Sequence, residues 1–295
     1  MTAAPVTARS IVIPCRDEAA SLGGVLDDVA RAFAGATPPE VVVVDDGSGD
    51  GTGDLAERHA TRPRVVRHRK SRGYGEAIKS GIAAAAGATV CLMDGDGQHA
   101  AADARRLLEA HRPRTLVVGA RTDAGSGARR WARAFLRWWS RSIAGIDIRD
   151  TNSGMMAFDR RVAVRLLPFM PEGMAYSDSF KLLFHLLRMD VTEEPITVRE
   201  RTGGRSKNAP VHGVRTMLST LVMVVLINPT RVFLPLGVGA LAIGAGWAIP
   251  FLVMGHGLTV FATAMILSGL LCLAFGLVFR VLSGITQSLI AGSDA

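Results

Sequence analysis

The chain has 295 residues, of which 48% are hydrophobic and 20% are charged, and its formal net charge is +8. Of its 34 basic and 26 acidic residues, only Arg231, Arg280 and Asp294 lie beyond Arg215. This composition excludes a disordered chain, a purely soluble protein and a protein embedded mostly in a membrane.

Short apolar runs alternate with amphipathic stretches over residues 9–200. The predicted strands are Ser10–Ile13, Val41–Asp45, Arg64–His68, Thr89–Met93 and Leu116–Gly119. The predicted helices between them are Ala19–Ala34, Gly53–His59, Gly75–Ala86 and Ala101–His111. This alternation predicts an α/β domain whose mostly parallel sheet has helices on both faces, and ligands bind such sheets beyond the carboxyl ends of the strands.

Polar and acidic residues follow three of these strands. They are residues 14–18 after the first strand, 45–48 after the second and 94–96 after the fourth. No GxGxxG sequence follows the first strand and no GxxxxGK[ST] sequence occurs, so neither a dinucleotide turn nor a P-loop is expected. Residues 46–57 satisfy a relaxed calcium-loop pattern, but a strand precedes them where that motif requires a helix, which disfavours calcium.

The segment 94–99 (DGDGQH) carries the sharpest local signal. Asp94 and Asp96 can converge on one divalent cation, with Gln98 as a further oxygen ligand. Mg²⁺ and Mn²⁺ take such ligands and remain free to bind substrate phosphates. The alternative is an Asp/Gly turn that caps the next helix, but the neighbouring acidic loops favour a metal site.

The C-terminal part predicts a membrane anchor. Residues 232–279 contain no Asp, Glu, Lys or Arg, which is enough for two spans near Val232–Val253 and Leu258–Val278. Arginines flank only the outer ends, and the N-terminus has no apolar run of a signal peptide. Both chain ends and the first domain are therefore expected on the cytoplasmic side of the cell membrane.

The segment before the first predicted span is apolar from Met217 onward but stops at Asn228 and Pro229. It is too short to cross a bilayer, so we expect a helix along the membrane surface, with a short third span as the alternative. The predicted organisation is a domain at 1–208, an interfacial segment at 209–230 and a hairpin at 231–295.

The positive charge of the first part suits polyanionic partners. No helix-turn-helix, zinc-finger or RNA-binding pattern accompanies it, so nucleic acid is not expected as a partner. A basic loop with Arg205, Ser206 and Lys207 precedes the interfacial segment. It is either a solvated surface turn or a site for a lipid phosphate at the membrane plane, and its placement favours the second, because Arg and Lys bind phosphate well. Residues 129–141 are also basic, and most of them are expected on an amphipathic helix, with Arg137 as the functional exception.

Seven segments together resemble the family 2 glycosyltransferases, and among them the polyprenyl-phosphate glycosyltransferases of the dolichol-phosphate mannose synthase type. They are residues 13–18 (IPCRDE), 44–48 (VDDGS), 72–75 (RGYG), 94–99 (DGDGQH), 119–121 (GAR), 150–154 (DTNSG) and 204–207 (GRSK). The resemblance covers about residues 10–208 and implies a GT-A fold. Lys181 departs from the family, whose members often carry an acidic residue at that position.

The resemblance also implies roles for individual residues. Nucleoside contacts and the nucleotide pocket would come from Pro14, Glu18, Asp46, Gly73 and Gly75. The metal would be held by Asp94, Asp96 and Gln98. Arg121, Arg137, Arg205, Ser206 and Lys207 would surround the phosphates, including that of the lipid acceptor, and Asp150 would lie near the sugar and acceptor.

The expected activity is an inverting, Mg²⁺- or Mn²⁺-dependent transfer of a hexose, mannose or glucose, from a GDP- or UDP-sugar to a polyprenyl phosphate. A phosphate acceptor is already anionic near neutral pH, so no general base is required. One alternative is a polysaccharide synthase, although its QxxRW motif is absent because Ala134 occupies the Gln position before Arg137. The other is a non-catalytic nucleotide-sugar-binding scaffold. The sequence leaves open the nucleotide base, the sugar, the isoprenoid length and the oligomeric state, a homo-oligomer included.

Overall fold

The computed structural model describes residues 9–121, 141–142, 153–170, 176–187, 189–199, 218, 221–222 and 224–291. The chain forms two compact units. One unit contains a seven-stranded sheet with its helices, and the other contains two long apolar helices.

The first unit is a mixed sheet in which one strand is reversed. Its strands are β1 (Arg9–Cys15), β2 (Glu40–Asp45), β3 (Arg64–Arg67), β4 (Thr89–Leu92), β5 (Thr115–Arg121), β6 (Met156–Asp159) and β7 (Asp190–Ile196). The strand order is β3-β2-β1-β4-β6-β5-β7. Only β6 pairs antiparallel with its neighbours, and every other pair is parallel. The mostly parallel sheet predicted from the sequence is confirmed.

Helices cover both faces of this sheet. They are α1 (Ala19–Ala32), α2 (Thr52–Arg58), α3 (Tyr74–Ala84), α4 (Ala101–Ala110), α5 (Arg160–Leu166) and α6 (Tyr176–Leu186), with a 3₁₀ turn at Leu167–Phe169. Ile11 and Ile13 of β1 join a core with the buried faces of α1 and α4. Val12 points to the opposite face, where a Cβ added at Gly81 of α3 would overlap it. Because both faces are covered, residues 11–15 of β1 form an uninterrupted apolar run instead of an alternating one.

The later elements of this unit were not predicted. The strand β6 has four residues, too few for a periodic pattern, and β7 contains Pro195 and an exposed Asp190. Proline is tolerated in β7 because this strand lies at the edge of the sheet, where one side of its backbone is not paired. Tertiary pairing therefore forms these strands where local sequence preference is weak.

The second unit consists of α7 (Thr230–Val253) and α8 (Val260–Ala291), joined by a short turn with Gly255 and Gly257 at φ +74. The segments Thr230–Val253 and Val260–Ile285 are long and apolar enough to cross a membrane and are mostly exposed. This confirms the two apolar C-terminal helices and indicates membrane association. The second helix begins two residues later than the predicted span and continues beyond its predicted end at Val278.

Small residues bring α7 and α8 into close contact. A Cβ added at Gly269 would lie 2.8 Å from the carbonyl oxygen of Gly237, and one added at Gly244 would lie 2.8 Å from the side chain of Ile266. Such glycines allow close backbone approach between membrane helices. Residues 218, 221–222 and 224–227 before α7 are also helical, and their placement along a membrane surface stays a prediction.

Candidate active site

The polar residues predicted from the sequence lie at one edge of the sheet. The parallel strands β1, β2, β4 and β5 end at this edge, followed by the segments that begin at Arg16, Asp46 and Met93, with Arg121 as the last residue of β5. The reversed strand β6 begins there, so Gly154 reaches the same edge from the opposite direction. The topology thus brings together segments that are distant in the sequence.

The loops after β1 and β2 are tied to each other by hydrogen bonds. The backbone N–H of Glu18 donates to the hydroxyl of Thr52 at 2.9 Å. The hydroxyl of Ser21 lies 3.0 Å from the Glu18 carboxylate and 2.9 Å from the carbonyl oxygen of Gly95. Ser21 therefore links the predicted nucleoside contact Glu18 to the DGDGQH segment, while Pro14 is buried within β1.

Asp46 organises the loop that leads into α3. It is 3% exposed, and its two carboxylate oxygens accept hydrogen bonds from four groups. The donors are Nδ1 of His68 at 2.7 Å, the hydroxyl of Ser71 at 2.7 Å, the N–H of Arg72 at 2.8 Å and the N–H of Gly73 at 2.9 Å. Burial by itself raises the pKa of Asp46, but these hydrogen bonds outweigh it and leave the pKa below its usual value. Asp46 therefore fixes the backbone of this loop, to which the resemblance assigns the nucleotide pocket.

The loop requires its glycines for conformational reasons. Gly73 has φ +99, a value that side chains disfavour, and it immediately precedes α3. Gly75 is buried within the first turn of α3. At Gly47, φ is +72 and a Cβ would lie 2.7 Å from the backbone nitrogen of Ser71, so the loops after β2 and β3 touch through their backbones.

The DGDGQH segment presents two carboxylates at the sheet edge. The carboxylate Oδ1 of Asp94 accepts a hydrogen bond from the hydroxyl of Tyr74 at 2.8 Å, and Oδ1 of Asp96 accepts one from the N–H of Gln98 at 3.0 Å. A Cβ at Gly95 would overlap the sulfur of Cys15, so this position packs against the end of β1. His99 is buried, pairs with Val198 through an isolated β-bridge, and accepts a hydrogen bond at Nδ1 from the backbone N–H of Asp94 at 3.4 Å.

The donor set suits a divalent cation that also binds a substrate. Within the described ranges, no group of three or more His, Cys, Asp or Glu side chains could hold a metal ion without help. Two carboxylates and an amide are nevertheless what Mg²⁺ needs when phosphate oxygens and water complete its coordination. The side chain of Asp94 is 31% exposed, and a Cβ at Gly154 would lie 3.1 Å from its Oδ2. The residue at 154 therefore keeps space open beside this carboxylate.

Two residues that the resemblance did not assign to the site lie against it. Tyr74 is half-buried, and burial followed by the charge of Asp94 raises the pKa of its hydroxyl well above the usual value. The hydroxyl therefore stays protonated and donates to Asp94. Lys181 of α6 is 2% exposed, and its Nζ donates to the carbonyl oxygen of Ser153 at 2.8 Å. The sequence signals for these two residues were the position of Tyr74 between Gly73 and Gly75, which are predicted to line the nucleotide pocket, and the departure of Lys181 from the family.

Several predicted site residues lie outside the described residues, namely Arg137, Asp150, Arg205, Ser206 and Lys207. Arg121 is described and ends β5, where it pairs with Ile196 of β7. The chain that leads to the basic loop is also described as far as Arg199. Its backbone N–H donates to the carbonyl oxygen of Gln98 at 2.9 Å, so this segment leaves the described structure beside the predicted metal ligands.

Comparisons with known proteins agree with this geometry. The polyprenol monophosphomannose synthase of Mycolicibacterium smegmatis is 32% identical over 222 residues, which cover 70% of this chain and 83% of the relative. The undecaprenyl-phosphate mannosyltransferase of Micrococcus luteus is 33% identical, covering 66% of this chain and 85% of the relative. The undecaprenyl-phosphate 4-deoxy-4-formamido-L-arabinose transferase of Pseudomonas paraeruginosa is 28% identical, covering 92% and 84%.

Solved structures show the same fold. The glucosyl-3-phosphoglycerate synthase of Mycobacterium tuberculosis, solved with Mn²⁺, UDP and glucosyl-3-phosphoglycerate, has a TM-score of 0.58 at 21% identity. The match covers 74% of this chain and 80% of that chain, and it confirms the GT-A fold. The sequence profile described as "Glycosyl transferase family 2" matches residues 10–164. The profile, the identity to the curated relatives and the acidic sheet edge together establish that this chain is a glycosyltransferase that belongs to glycosyl transferase family 2.

Proposed function

We propose that the protein transfers a hexose, mannose or glucose, from a GDP- or UDP-sugar to a polyprenyl phosphate, with inversion at the anomeric carbon. The observation that carries this proposal is the presence in one chain of an acidic sheet edge and two apolar helices. The relatives from M. smegmatis and M. luteus, by their names, use a polyprenol and undecaprenyl phosphate. Transfer from a water-soluble donor to a lipid acceptor requires a donor site outside the bilayer and access to the membrane, which the acidic edge and the apolar helices would provide.

The donor site in this proposal consists of residues from four loops. Asp94, Asp96 and Gln98 would hold Mg²⁺ or Mn²⁺ on the diphosphate of the donor. When bound, the cation supplies Lewis-acid stabilisation of the departing diphosphate. Pro14, Glu18 and the loop of Asp46, Gly73 and Gly75 form the nucleoside side, because Asp46 fixes that loop and Ser21 ties Glu18 to the metal segment.

The acceptor attacks without a dedicated base. One oxygen of the lipid phosphate forms a bond to the anomeric carbon while the bond from that carbon to the diphosphate breaks, and the electron pair leaves with the nucleoside diphosphate. A phosphate monoester has a second pKa of about 6, so it is largely dianionic near neutral pH. The basic residues assigned to the phosphates are Arg121, Arg137, Arg205, Ser206 and Lys207, and Asp150 is assigned to the sugar and acceptor.

The short stretch of chain between Arg199 and Arg205 supports the acceptor assignment. Arg205 follows Arg199 by only six residues, which span about 20 Å at most when extended. The backbone of Arg199 is hydrogen-bonded to Gln98, so the reach of this segment includes the donor diphosphate. Cationic groups fixed where negative charge develops would stabilise the transition state.

The proposal extends to the organisation of the chain. The catalytic domain comprises residues 1–208, the interfacial segment 209–230 and the membrane hairpin 231–295. The chain is an integral protein of the cell membrane with its catalytic domain in the cytoplasm. This orientation follows from Arg231 and Arg280, which flank the outer ends of the two apolar segments, while the turn between them carries no charge.

A donor screen tests the function directly. Membranes that contain the protein are incubated with a polyprenyl phosphate, Mg²⁺ or Mn²⁺, and labelled GDP-mannose, UDP-glucose or other nucleotide hexoses. We expect a labelled product that partitions into chloroform with one donor. Asp96→Asn should abolish it, whereas Asp190→Asn, which changes an exposed carboxylate at the start of β7, should leave it unchanged. The absence of labelled lipid with every donor and both metals would refute the proposal.

A further inference from the structure

The hydroxyl of Tyr74 lies at the centre of a hydrogen-bond chain that ends on Asp94. Tyr74 is the first residue of α3, directly after the left-handed Gly73. Its hydroxyl donates to Oδ1 of Asp94 at 2.8 Å. The side chain of Ser177 in α6 hydrogen-bonds to the same hydroxyl, so a chain of donors runs from α6 through Tyr74 to the carboxylate. Two helices distant in sequence therefore act on one side chain of the DGDGQH segment.

This contact determines how the Asp94 carboxylate is oriented. The terminal torsion of an aspartate is broad, so an unrestrained carboxylate samples many planes. Here one oxygen is engaged by Tyr74, while the other, Oδ2, faces the position of Gly154. A Cβ at Gly154 would lie 3.1 Å from both Oδ2 of Asp94 and the hydroxyl of Tyr74. Nδ1 of His99 lies 3.8 Å from Oδ2, which is beyond hydrogen-bond distance, and it accepts from the backbone N–H of Asp94. The hydroxyl and the open space therefore leave Oδ2 as the oxygen that can meet a ligand.

The helix α6 also fixes the other side of this carboxylate. Lys181 lies one helical turn after Ser177, on the same face of α6. Its buried Nζ donates to the carbonyl oxygen of Ser153 at 2.8 Å, immediately before Gly154. The same helix therefore holds both the tyrosine hydroxyl and the glycine backbone that flank Asp94. This arrangement is the support that a metal-binding carboxylate needs from outside its coordination shell.

We propose that Tyr74 is a positioning residue of the donor site, whose hydroxyl orients Asp94 so that Oδ2 faces the divalent cation bound to the donor diphosphate. The proposal rests on the proposed function insofar as Asp94 is taken to be a metal ligand. In this role Tyr74 acts on the cation through its hydrogen bond to Asp94. Ser177 acts through its hydrogen bond to Tyr74, one hydrogen bond further from the carboxylate of Asp94.

The chain offers a matched control, because it contains only two tyrosines. The hydroxyl of Tyr176 is also buried, but it has no hydrogen-bond partner among the residues that the structure describes. Tyr74→Phe and Tyr176→Phe therefore remove the same group from the same chain. Only the first change releases a carboxylate at the acidic edge.

The decisive measurement is Mn²⁺ binding to the purified full-length protein in detergent. The loss of the aqueous Mn²⁺ electron paramagnetic resonance signal is titrated in the presence of GDP and, in a parallel arm, UDP. Removal of a group that orients a ligand costs about 10- to 100-fold in metal affinity. We expect Tyr74→Phe to weaken Mn²⁺ binding by about this factor, and Tyr176→Phe to retain wild-type affinity. In transfer assays, raised Mn²⁺ should restore much of the Tyr74→Phe rate.

Other results would overturn the inference. Wild-type Mn²⁺ affinity in Tyr74→Phe, or an equal loss in Tyr176→Phe, shows that the hydroxyl does not orient a metal ligand. If Tyr74→Phe fails to fold, Ser177→Ala decides, since it should weaken Mn²⁺ binding in the same direction by a smaller factor. Mn²⁺ binding that depends on Tyr74 without transfer to any lipid phosphate refutes the proposed function alone. A wild-type protein that binds no Mn²⁺ with either nucleotide refutes the metal assignment and this inference together.

Discussion

The carboxylate of Asp46 is expected to control nucleotide binding through the backbone that it holds, and Asp46→Asn isolates that role. The substitution keeps the size of the side chain but replaces one accepting oxygen with an NH₂ group. In the native protein Oδ1 accepts from His68 and Arg72, and Oδ2 accepts from Ser71 and Gly73. Whichever way the amide is oriented, its NH₂ group faces at least one backbone N–H donor that cannot rotate to accept.

The magnitude follows from the burial of this group. Asp46 is 3% exposed, so water does not replace the lost acceptor. A buried donor left without a partner costs about 1–3 kcal/mol, and loss of the charge weakens the remaining bonds, so we expect about 3 kcal/mol in the free energy of unfolding. Part of that change will appear as disorder of the loop before Gly73. If about 1.4 kcal/mol of loop ordering then falls on ligand binding, the nucleotide Kd rises about tenfold.

The assay combines two titrations on the full-length protein in detergent. GDP and UDP are titrated with Mn²⁺ present, and unfolding is followed by circular dichroism in urea. Asp190→Asn serves as the control, because it makes the same chemical change at an exposed position. Nucleotide affinity and stability in Asp46→Asn equal to those of the control would refute the reasoning, since the loop would then be held by other contacts.

Three further predictions concern acid stability, the space beside Asp94 and the membrane helices. Because the folded-state pKa of Asp46 lies below its unfolded value of about 3.9, its contribution to stability is complete above that value and is lost as the pH falls through the folded-state pKa. The difference in unfolding free energy between wild type and Asp46→Asn should therefore shrink below about pH 4, and a difference that grows there would contradict this account. Gly154→Ala should lower Mn²⁺ affinity in the resonance titration, because its Cβ would lie 3.1 Å from Oδ2 of Asp94; unchanged affinity would show that this oxygen does not bind the metal. Gly269→Leu should separate α7 from α8 and lower the melting temperature in detergent, since even a Cβ there meets the Gly237 carbonyl at 2.8 Å, whereas Gly239→Leu, at an open position, should not.

The parts of the fold that could be predicted are those with a local hydrophobic pattern in the sequence. The apolar run in β1 and the helical spacing of Leu22, Leu26 and Val29 in α1 follow from burial on one or both faces, and both appear as predicted. The strand β7 was not predicted, because Pro195 and several acidic residues argue against a strand. Only its pairing with β5 forms it. The second membrane segment was predicted to end at Val278, where the hydropathy falls. Backbone hydrogen bonds continue the helix to Ala291.

The residues of the candidate site were likewise predictable only where their signal is local in the sequence. Asp94, Asp96 and Gln98 could be named because they follow one strand at short spacing. The partner of Asp94 could not be named, since Tyr74 lies twenty residues earlier. It meets the carboxylate only because α3 begins at the sheet edge where β4 ends. The role of Asp46 was assigned as a nucleoside contact, but its hydrogen bonds to His68 and Gly73 are visible only in three dimensions.

The reversed strand β6 determines where both ends of the connection that precedes it lie. Since β5 ends and β6 begins at the same edge of the sheet, both ends of the interval 122–155 lie at the edge that carries the DGDGQH segment. A connection whose two ends lie at the same edge of a sheet can be lengthened, shortened or exchanged without a change in strand order. Exchange of residues 122–152 between relatives, with Gly154 kept, is therefore expected to leave the sheet intact, and a transfer assay on each hybrid shows whether this interval selects the acceptor.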